Sequence, residues 1–513
     1  MSIGKRVAKN VFSNWANLAV NIVISFFLAP FIVKSLGNTW YGIWVIMMQF
    51  TGYLYLLDFG VRESVIRYVS KFLASKESES LDEILSASLL FYSGIGFIAL
   101  AVSTALAFGF SSIFNVDPDV VPVAKIVIVL AGLTIGQTLA FNVYTGVVMG
   151  LQRYDIFNKI GIVFAFIRLA LILVFLNLGY GILALAIIQL VIGLGNNLLI
   201  YRASKILLGE HGYQLRYKHR PLREQIPVFR SLYNYSVHVV VNNLGQKAIF
   251  YTDALIIGVF MNAASVTFYA IAGNLIEYLR RLILISNTVL NPLVSELETK
   301  KDTAAIQTVL MQGGRLSMLM ALPIAAIYLT MGRQFIGHWM GYEYAALSGD
   351  VLFILAVSVA LSTPQNTISS ILYGISRHKI IANLRIVEAI ANFAISIVLV
   401  QSLGIIGVAL GTAIPQIVIM TIVLPLMVLR LLKLPVGKYV LETYVRPVAA
   451  TAPFAAACYA VNTYIPASSL LTLMVQFALL GPVYLAGAWF IALHTRERRQ
   501  YGQVLRSYLP ALS

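Results

Sequence analysis

The chain reads as a succession of apolar runs, each about as long as a bilayer is thick, separated by short stretches of Gly, Pro or charge. A membrane-spanning helix needs roughly 20 mostly apolar residues, and about 14 runs meet that requirement. Their approximate limits are 11–33, 41–61, 84–109, 123–148, 157–177, 181–201, 235–260, 266–290, 309–330, 351–373, 380–401, 405–429, 447–465 and 469–493. The first follows a basic decapeptide, MSIGKRVAKN, and imitates a secretory signal, but it is long and lacks a small-x-small cleavage site. It is therefore expected to stay as span 1. A backbone in lipid must satisfy its own hydrogen bonds, so the pattern predicts an all-α polytopic membrane protein.

Composition agrees with the pattern. Of 513 residues, 59% are hydrophobic and 11% charged, against roughly 25% charged in a soluble protein. The net charge of +16 does not call for nucleic acid, because the bases are distributed by side. With the N-terminus inside, thirty of the 37 Lys and Arg fall in the N-terminal segment, the tail and the loops after even-numbered spans; the other side receives only Lys34, Lys125 and Arg333, and Arg168, Lys247, Arg280 and Arg281 fall within spans. Lys and Arg accumulate on the cytoplasmic side, so an even number of spans with both termini cytoplasmic is expected. The outward loops are short, the longest being about 331–350. That leaves no room for an external catalytic domain and argues against an enzyme. The single Cys458 and six histidines show no metal-ligand spacing, and no cofactor is expected.

An internal repeat organises the spans. VVMGLQRYDIFNKI from Val147 matches ILYGISRHKIIANL from Ile371, 224 residues later, with Gly150 over Gly374 and Arg153 over Arg377. LGYGILALA from Leu178 meets LGIIGVALG from Leu403 at 225, and WYGI from Trp40 meets FYAI from Phe268 at 228. Three matches at nearly one offset predict two parallel six-span lobes, with boundaries at 1–213 and 214–436 and two further spans in 437–513.

A charge at the bilayer centre costs about 2.5–3.5 kcal/mol on insertion scales, so polar residues inside spans are functional candidates. At 100° per residue, Asn14, Asn17, Asn21 and Ser25 share one face of span 1. His238, Asn242, Gln246 and Asp253 share an arc of span 7, and Asn274, Glu277, Arg280, Arg281 and Asn291 one of span 8. The expected use is the lining of a central cavity, with helix-to-helix hydrogen bonding as the alternative for the asparagines. Arg168 stands alone in span 5 and Lys247 lies opposite the Asp253 face. Guanidinium forks suit phosphate and carboxylate, which points to an anionic amphiphile such as a phospholipid or pyrophospholipid. A membrane glycan polymerase or ligase, and a drug exporter with a more acidic lumen, are the competing readings.

The stretches LDFGVRESVIRYVS from Leu57, GLQRYDIFNKI from Gly150, TDALIIGVFMNAASVTFYAIA from Thr252 and LYGISRHK from Leu372 carry a resemblance covering essentially the whole chain. The chain resembles the polysaccharide transporter family of the multidrug/oligosaccharidyl-lipid/polysaccharide exporter superfamily, especially its lipid-linked O-antigen and exopolysaccharide repeat-unit flippases. The resemblance implies two six-helix lobes around a cationic cavity, alternating access, and movement of polyprenyl-pyrophosphate oligosaccharides from the cytoplasmic to the outer leaflet of a bacterial or archaeal plasma membrane. Arg280 or Arg281 matches a lumen arginine of the lipid II flippases, and spans 13 and 14 match their extra lipid-groove pair. On this reading Arg280 and Arg281 bind the pyrophosphate, Glu277 orients them, and Asn274, Arg168 and the span 1 asparagines complete the site. Coupling to H+ or Na+ would fall to Asp253, Glu277, His238 or Asn366, with Gln365 and Asn392 as further oxygen donors and no acid in span 10. Expected partners are the lipid-linked oligosaccharide, membrane lipids, and a polysaccharide polymerase with its chain-length machinery.

One charged stretch, LLDFGVRESVIRYVSKF from Leu56, falls at the cytoplasmic end of span 2. Read as continuous helix, it pairs Asp58 with Arg62, and Glu63 with Arg67 and Lys71. Asp58, Arg62 and Arg67 are the expected cytoplasmic gate.

Overall fold

The computed structural model describes residues 3–214, 251–287, 290–495, 497–499 and 502–503, and these are helical nearly throughout. They pack as two compact units, Met1–Thr267 and Phe268–Ser513. Among the described residues nine helices, two of them kinked and long, have the length and apolarity to cross a membrane.

The first unit holds α1 (Ile3–Leu54), α2 (Val61–Ser75), α3 (Ser78–Ile113), α4 (Val121–Gly150), α5 (Tyr154–Asn177) and α6 (Gly181–Glu210), with α7 (Tyr251–Phe260) near its end. Predicted span 1 and most of span 2 form one element, α1, bent at Gly37 (φ 77°, ψ 169°). A side chain is strained in that left-handed region and Gly is not, so the chain turns there without a loop. Most of predicted span 7, with His238, Asn242, Gln246 and Lys247, lies outside the described residues. The core beneath α2 is built by Val65, Val69, Leu85, Tyr92 and Leu139, nearly all of them without solvent contact.

The second unit continues from α8 (Ala263–Asn287) through α9 (Leu290–Thr299), α10 (Thr303–Trp339), α11 (Tyr342–Ser362), α12 (Gln365–Gly374) and α13 (His378–Pro415), then α14 (Leu424–Leu431), α15 (Val436–Val440), α16 (Arg446–Tyr464) and α17 (Leu470–Gly487). Predicted span 11 and the start of span 12 share α13, bent at Gly404 (φ 58°, ψ −136°), and the rest of span 12 runs on through a π-helical turn, Gln416–Val423, into α14, while predicted span 10 is broken at Thr363 between α11 and α12. The long external loop expected at 331–350 is helix: only Met340 and Gly341 separate α10 from α11, and Arg333 pairs with Asp350 along that hairpin.

The backbone repeats where the sequence does. Gln152 and Ser376 both take left-handed φ (57° and 56°), as do Lys76 and Lys301 (59° and 55°) and Gly179 and Gly404 (83° and 58°). Close packing recurs too. A Cβ on Gly150 would fall 2.9 Å from Val69 Cβ, and one on Gly374 would fall 2.7 Å from Val294 Cβ. The glycines of the sequence match are thus the seats on which α2 and α9 pack.

Candidate functional site

In the first unit the gate region is not one helix. After the short turn Tyr55–Asp58, Phe59 (φ 47°) and Gly60 (φ 68°) reverse the chain, and α2 restarts at Val61. The expected i,i+4 pair of Asp58 with Arg62 is therefore not made. Asp58 is buried, 7% exposed, and accepts hydrogen bonds from the Tyr92 hydroxyl of α3 and, at 3.2 Å, from Asn142 Nδ2 of α4. Arg62 donates to the Tyr55 hydroxyl at 3.3 Å and to Glu63 at 3.0 Å, and its Nε is buried with no acceptor among the described residues. Arg67 is exposed beside the Tyr68 ring. Elsewhere in the first unit Tyr213 donates to Asp82 near the start of α3; burial, reinforced by that carboxylate, holds the Tyr213 phenol well above its ordinary pKa.

Removing Asp58 strands two buried donors. Asp58→Ala is expected to cost about 1–3 kcal/mol, the desolvation penalty of unsatisfied polar groups. Thermal unfolding in detergent micelles checks this; a variant melting with the wild type would contradict the buried triad.

The span 1 asparagines meet α5. Asn158 Nδ2 donates to Asn14 Oδ1 at 2.5 Å and to Ser13 Oγ at 3.0 Å, Asn17 donates to Asn158 Oδ1 at 3.1 Å, and Asn21 donates to Asn17 at 2.8 and 2.9 Å. This ladder joins two helices, which is the use the alternative reading gave them. Asn158, 3% exposed, is its centre, and helical phase within span 1 cannot find it. Arg168 is half-buried in α5 and makes no ion pair with any described residue. Asp253 is buried on α7, next to Thr252, whose hydroxyl lies 2.5 Å from the Tyr53 hydroxyl.

In the second unit, Arg280 and Arg281 part company. Arg281 Nε donates to Glu277 at 2.8 Å, both side chains about half exposed. Arg280 NH2 instead reaches Gln416 Oε1 at 3.3 Å. Gln416 opens a π-helical turn after Pro415, a distortion common at functional sites. Its amide is fixed by Ser358 and Ser362, each at 2.8 Å. Within electrostatic range of Arg280 lie Arg385 and Glu388 of α13. Arg385 NH1 donates to Glu388 at 2.8 Å and NH2 to Gln365 Oε1, also at 2.8 Å; the two ions are 7% and 1% exposed. The Arg385 Nε meets no acceptor among the described residues. Gln365 begins α12 just past the break in span 10, and Asn366 is engaged there with Thr363 O at 3.1 Å. Asn392 donates to Thr412 at 2.8 Å, and Asn274 is half-buried on α8.

Two buried arginines were hidden by the charge count, which places Arg315 and Arg385 in cytoplasmic loops. Both lie inside helices. For Arg385 the signal is Arg-Ile-Val-Glu, an i,i+3 ion pair within an apolar run. Arg315, 3% exposed, pairs with Glu442 at 2.8 Å and with Glu497.

Comparison with known proteins places this geometry in a family. A profile described as "Polysaccharide biosynthesis protein" matches residues 35–349. The chain belongs to that family. Among curated relatives, the family member described here is 27% identical over 184 residues to the probable low-salt glycan biosynthesis flippase Agl15 of Haloferax volcanii, covering 36% of this chain and 39% of that one. It is 20% identical over 411 residues to the putative O-antigen transporter of Shigella flexneri, covering 80% and 94%. Its fold is that of the lipid II flippase MurJ (TM-score 0.69, 15% identity, 93% and 97% covered). It is also that of an inward-facing multidrug resistance MATE family transporter (TM-score 0.65, 14% identity, 81% and 95% covered). The family member is thus a multi-pass, all-helical membrane protein of the polysaccharide biosynthesis family.

Proposed function

We propose that the chain is a flippase for polyprenyl-pyrophosphate-linked oligosaccharide, an O-antigen, capsule or exopolysaccharide repeat unit, with fourteen spans and both termini in the cytoplasm. The observation that carries the reading is the arginine cluster of the second unit. Arg280 and Arg385 lie inside helices of a membrane protein within electrostatic range of each other, Arg280 held by Gln416 and Arg385 by Gln365 and Glu388, with Arg385 Nε left without an acceptor among the described residues. Keeping two cations in an apolar protein is costly unless an anion uses them, and a pyrophosphate offers the bidentate oxygens that guanidinium binds best. Glu388 holds one arginine in place and leaves the cluster net positive. Arg168 is a further cation on the pyrophosphate's path, Asp58 with Arg62 and Arg67 the gate on the cytoplasmic face, and buried Asp253 or Glu388 the carboxylate that couples transport to H+ or Na+ entry. The site is exposed to the two leaflets alternately.

The test is a deletion strain. It is expected to accumulate lipid-linked oligosaccharide on the cytoplasmic leaflet, and purified protein in proteoliposomes is expected to move that lipid across the bilayer. Normal surface glycan in the deletion strain, or efflux of ethidium without movement of the glycan lipid, would overturn the reading in favour of a drug exporter.

A further inference from the structure

The first unit contains a partly open cavity of about 330 Å³ that meets the charged clusters described above only through Tyr55. Four helices and one turn line it: α1 with Trp44 and Thr51, the turn after it with Tyr55, α4 with Thr138, α6 with Gln189 and α7 with Tyr251. None of the residues lining it carries a formal charge, so neither a pyrophosphate nor a drug cation finds a counter-ion there.

Its polar groups are specific in kind. Thr51 donates to Met47 O and Thr138 to Thr134 O at 2.8 Å, so their hydroxyl hydrogens are spent within their own helices and only oxygen lone pairs remain for a guest. The half-buried Trp44 and Gln189 make no side-chain hydrogen bond with another described residue. An indole N–H and a carboxamide are therefore left to serve the cavity. The walls add three aromatic rings. Tyr251 stands edge-on to Tyr53, ring centroids 5.6 Å apart, and reaches its place because residue 52 is glycine: a Cβ there would fall 2.5 Å from the Tyr251 ring.

Aromatic faces, acceptor oxygens, one free N–H and one free amide, with no charge, match a polyol that has apolar C–H faces and a rim of hydroxyls. We propose that this cavity is a sugar subsite, taking one terminal part of the oligosaccharide while the pyrophosphate is held elsewhere. The proposal rests on the lipid-linked-glycan reading and adds the place where the glycan is recognised. The volume is at the lower end of the range for small-molecule sites, suited to a ring or two and not to a whole repeat unit. Tyr55 ties the cavity to the gate: its hydroxyl, on the cavity wall, accepts from Arg62 at 3.3 Å, so a sugar that moves Tyr55 moves a gate residue.

The experiment compares two probes on the full chain in nanodiscs: undecaprenyl pyrophosphate, and the lipid-linked oligosaccharide extracted from the deletion strain. Wild type is expected to bind the glycan-bearing lipid at least about tenfold more tightly, the scale that one or two stacking and hydrogen-bonding contacts supply. Trp44→Ala and Gln189→Ala are each expected to cut that preference to within about threefold, and Trp44→Phe, which keeps a ring, to retain most of it. A wild type that binds both lipids equally, or variants that keep the full preference, overturns the sugar subsite and leaves the flippase reading standing. A wild type that binds neither lipid overturns both. Because the readout is a ratio on one preparation, partial misfolding of a variant does not imitate the expected result.

Discussion

Arg280→Ala is expected to cut the rate of glycan-lipid flipping at least about tenfold, the loss of one charge-assisted hydrogen bond worth about 1.5–3 kcal/mol. Arg281→Ala, one residue on, is expected to stay within about fivefold, since an exposed ion pair is worth about 0–1 kcal/mol. The contrast follows from where the two side chains go. Arg281 is paired with Glu277 in a half-exposed contact, whereas Arg280 is anchored on a glutamine that two serines hold rigid. Removing Arg280 leaves Gln416 with its serine partners, so the scaffold survives and the loss falls on the ligand. Arg280→Lys is expected to recover only part of the rate, because an ammonium restores the charge but not the fork. Initial rates in proteoliposomes, normalised to inserted protein, decide the matter. Equal rates for Arg280→Ala and wild type would remove Arg280 from the site, and a deeper loss in Arg281→Ala would reverse the assignment.

Such neighbouring residues show what the sequence can and cannot deliver. Helices are legible because lipid permits little else, and each predicted span whose residues are described falls within helix or across a helix break. Gly37 and Gly404 sit inside two long helical elements, at points where hydropathy alone reads a gap between spans. Helical phase put Arg280 and Arg281 on one broad arc, yet 100° of rotation is enough to send one inward and the other outward. Asp58 was legible as an unusual charge, but its partners Tyr92 and Asn142 come from other helices, and a local rule could only offer Arg62. The Arg385–Glu388 pair was missed for a different reason: Arg377 and Lys379 lie just before it, and a run of bases at a span end reads as a cytoplasmic loop. An i,i+3 acid and base inside an apolar run is the pattern that separates a buried pair from loop charge.

Arg315 follows bases at a span end in the same way, and its removal is expected to be the most destabilising single change outside the proposed transport site. Arg315 on α10 is 3% exposed and bridges Glu442, just before α16, to Glu497, which follows α17. The last two long helices are thereby bolted at one end to α10. Arg315→Met preserves much of the side chain's volume but removes the only cation paired with Glu497 among the described residues; breaking a buried ion pair in this way typically costs about 3–5 kcal/mol. The lower end, about 3 kcal/mol, is expected here, because Glu442 keeps Arg446 at 3.4 Å and His494 at 2.8 Å, and Glu497 keeps the His494 backbone N–H at 2.8 Å. The penalty belongs to the stranded carboxylates and not to lost packing, so Arg315→Met combined with Glu442→Gln and Glu497→Gln is expected to recover more than half of the loss. Thermal unfolding in detergent, run on the single and triple variants together, separates the two causes. If the triple variant melts no higher than Arg315→Met alone, the cost lies in packing around α10 and the ion bridge is not what holds the C-terminal helices in place.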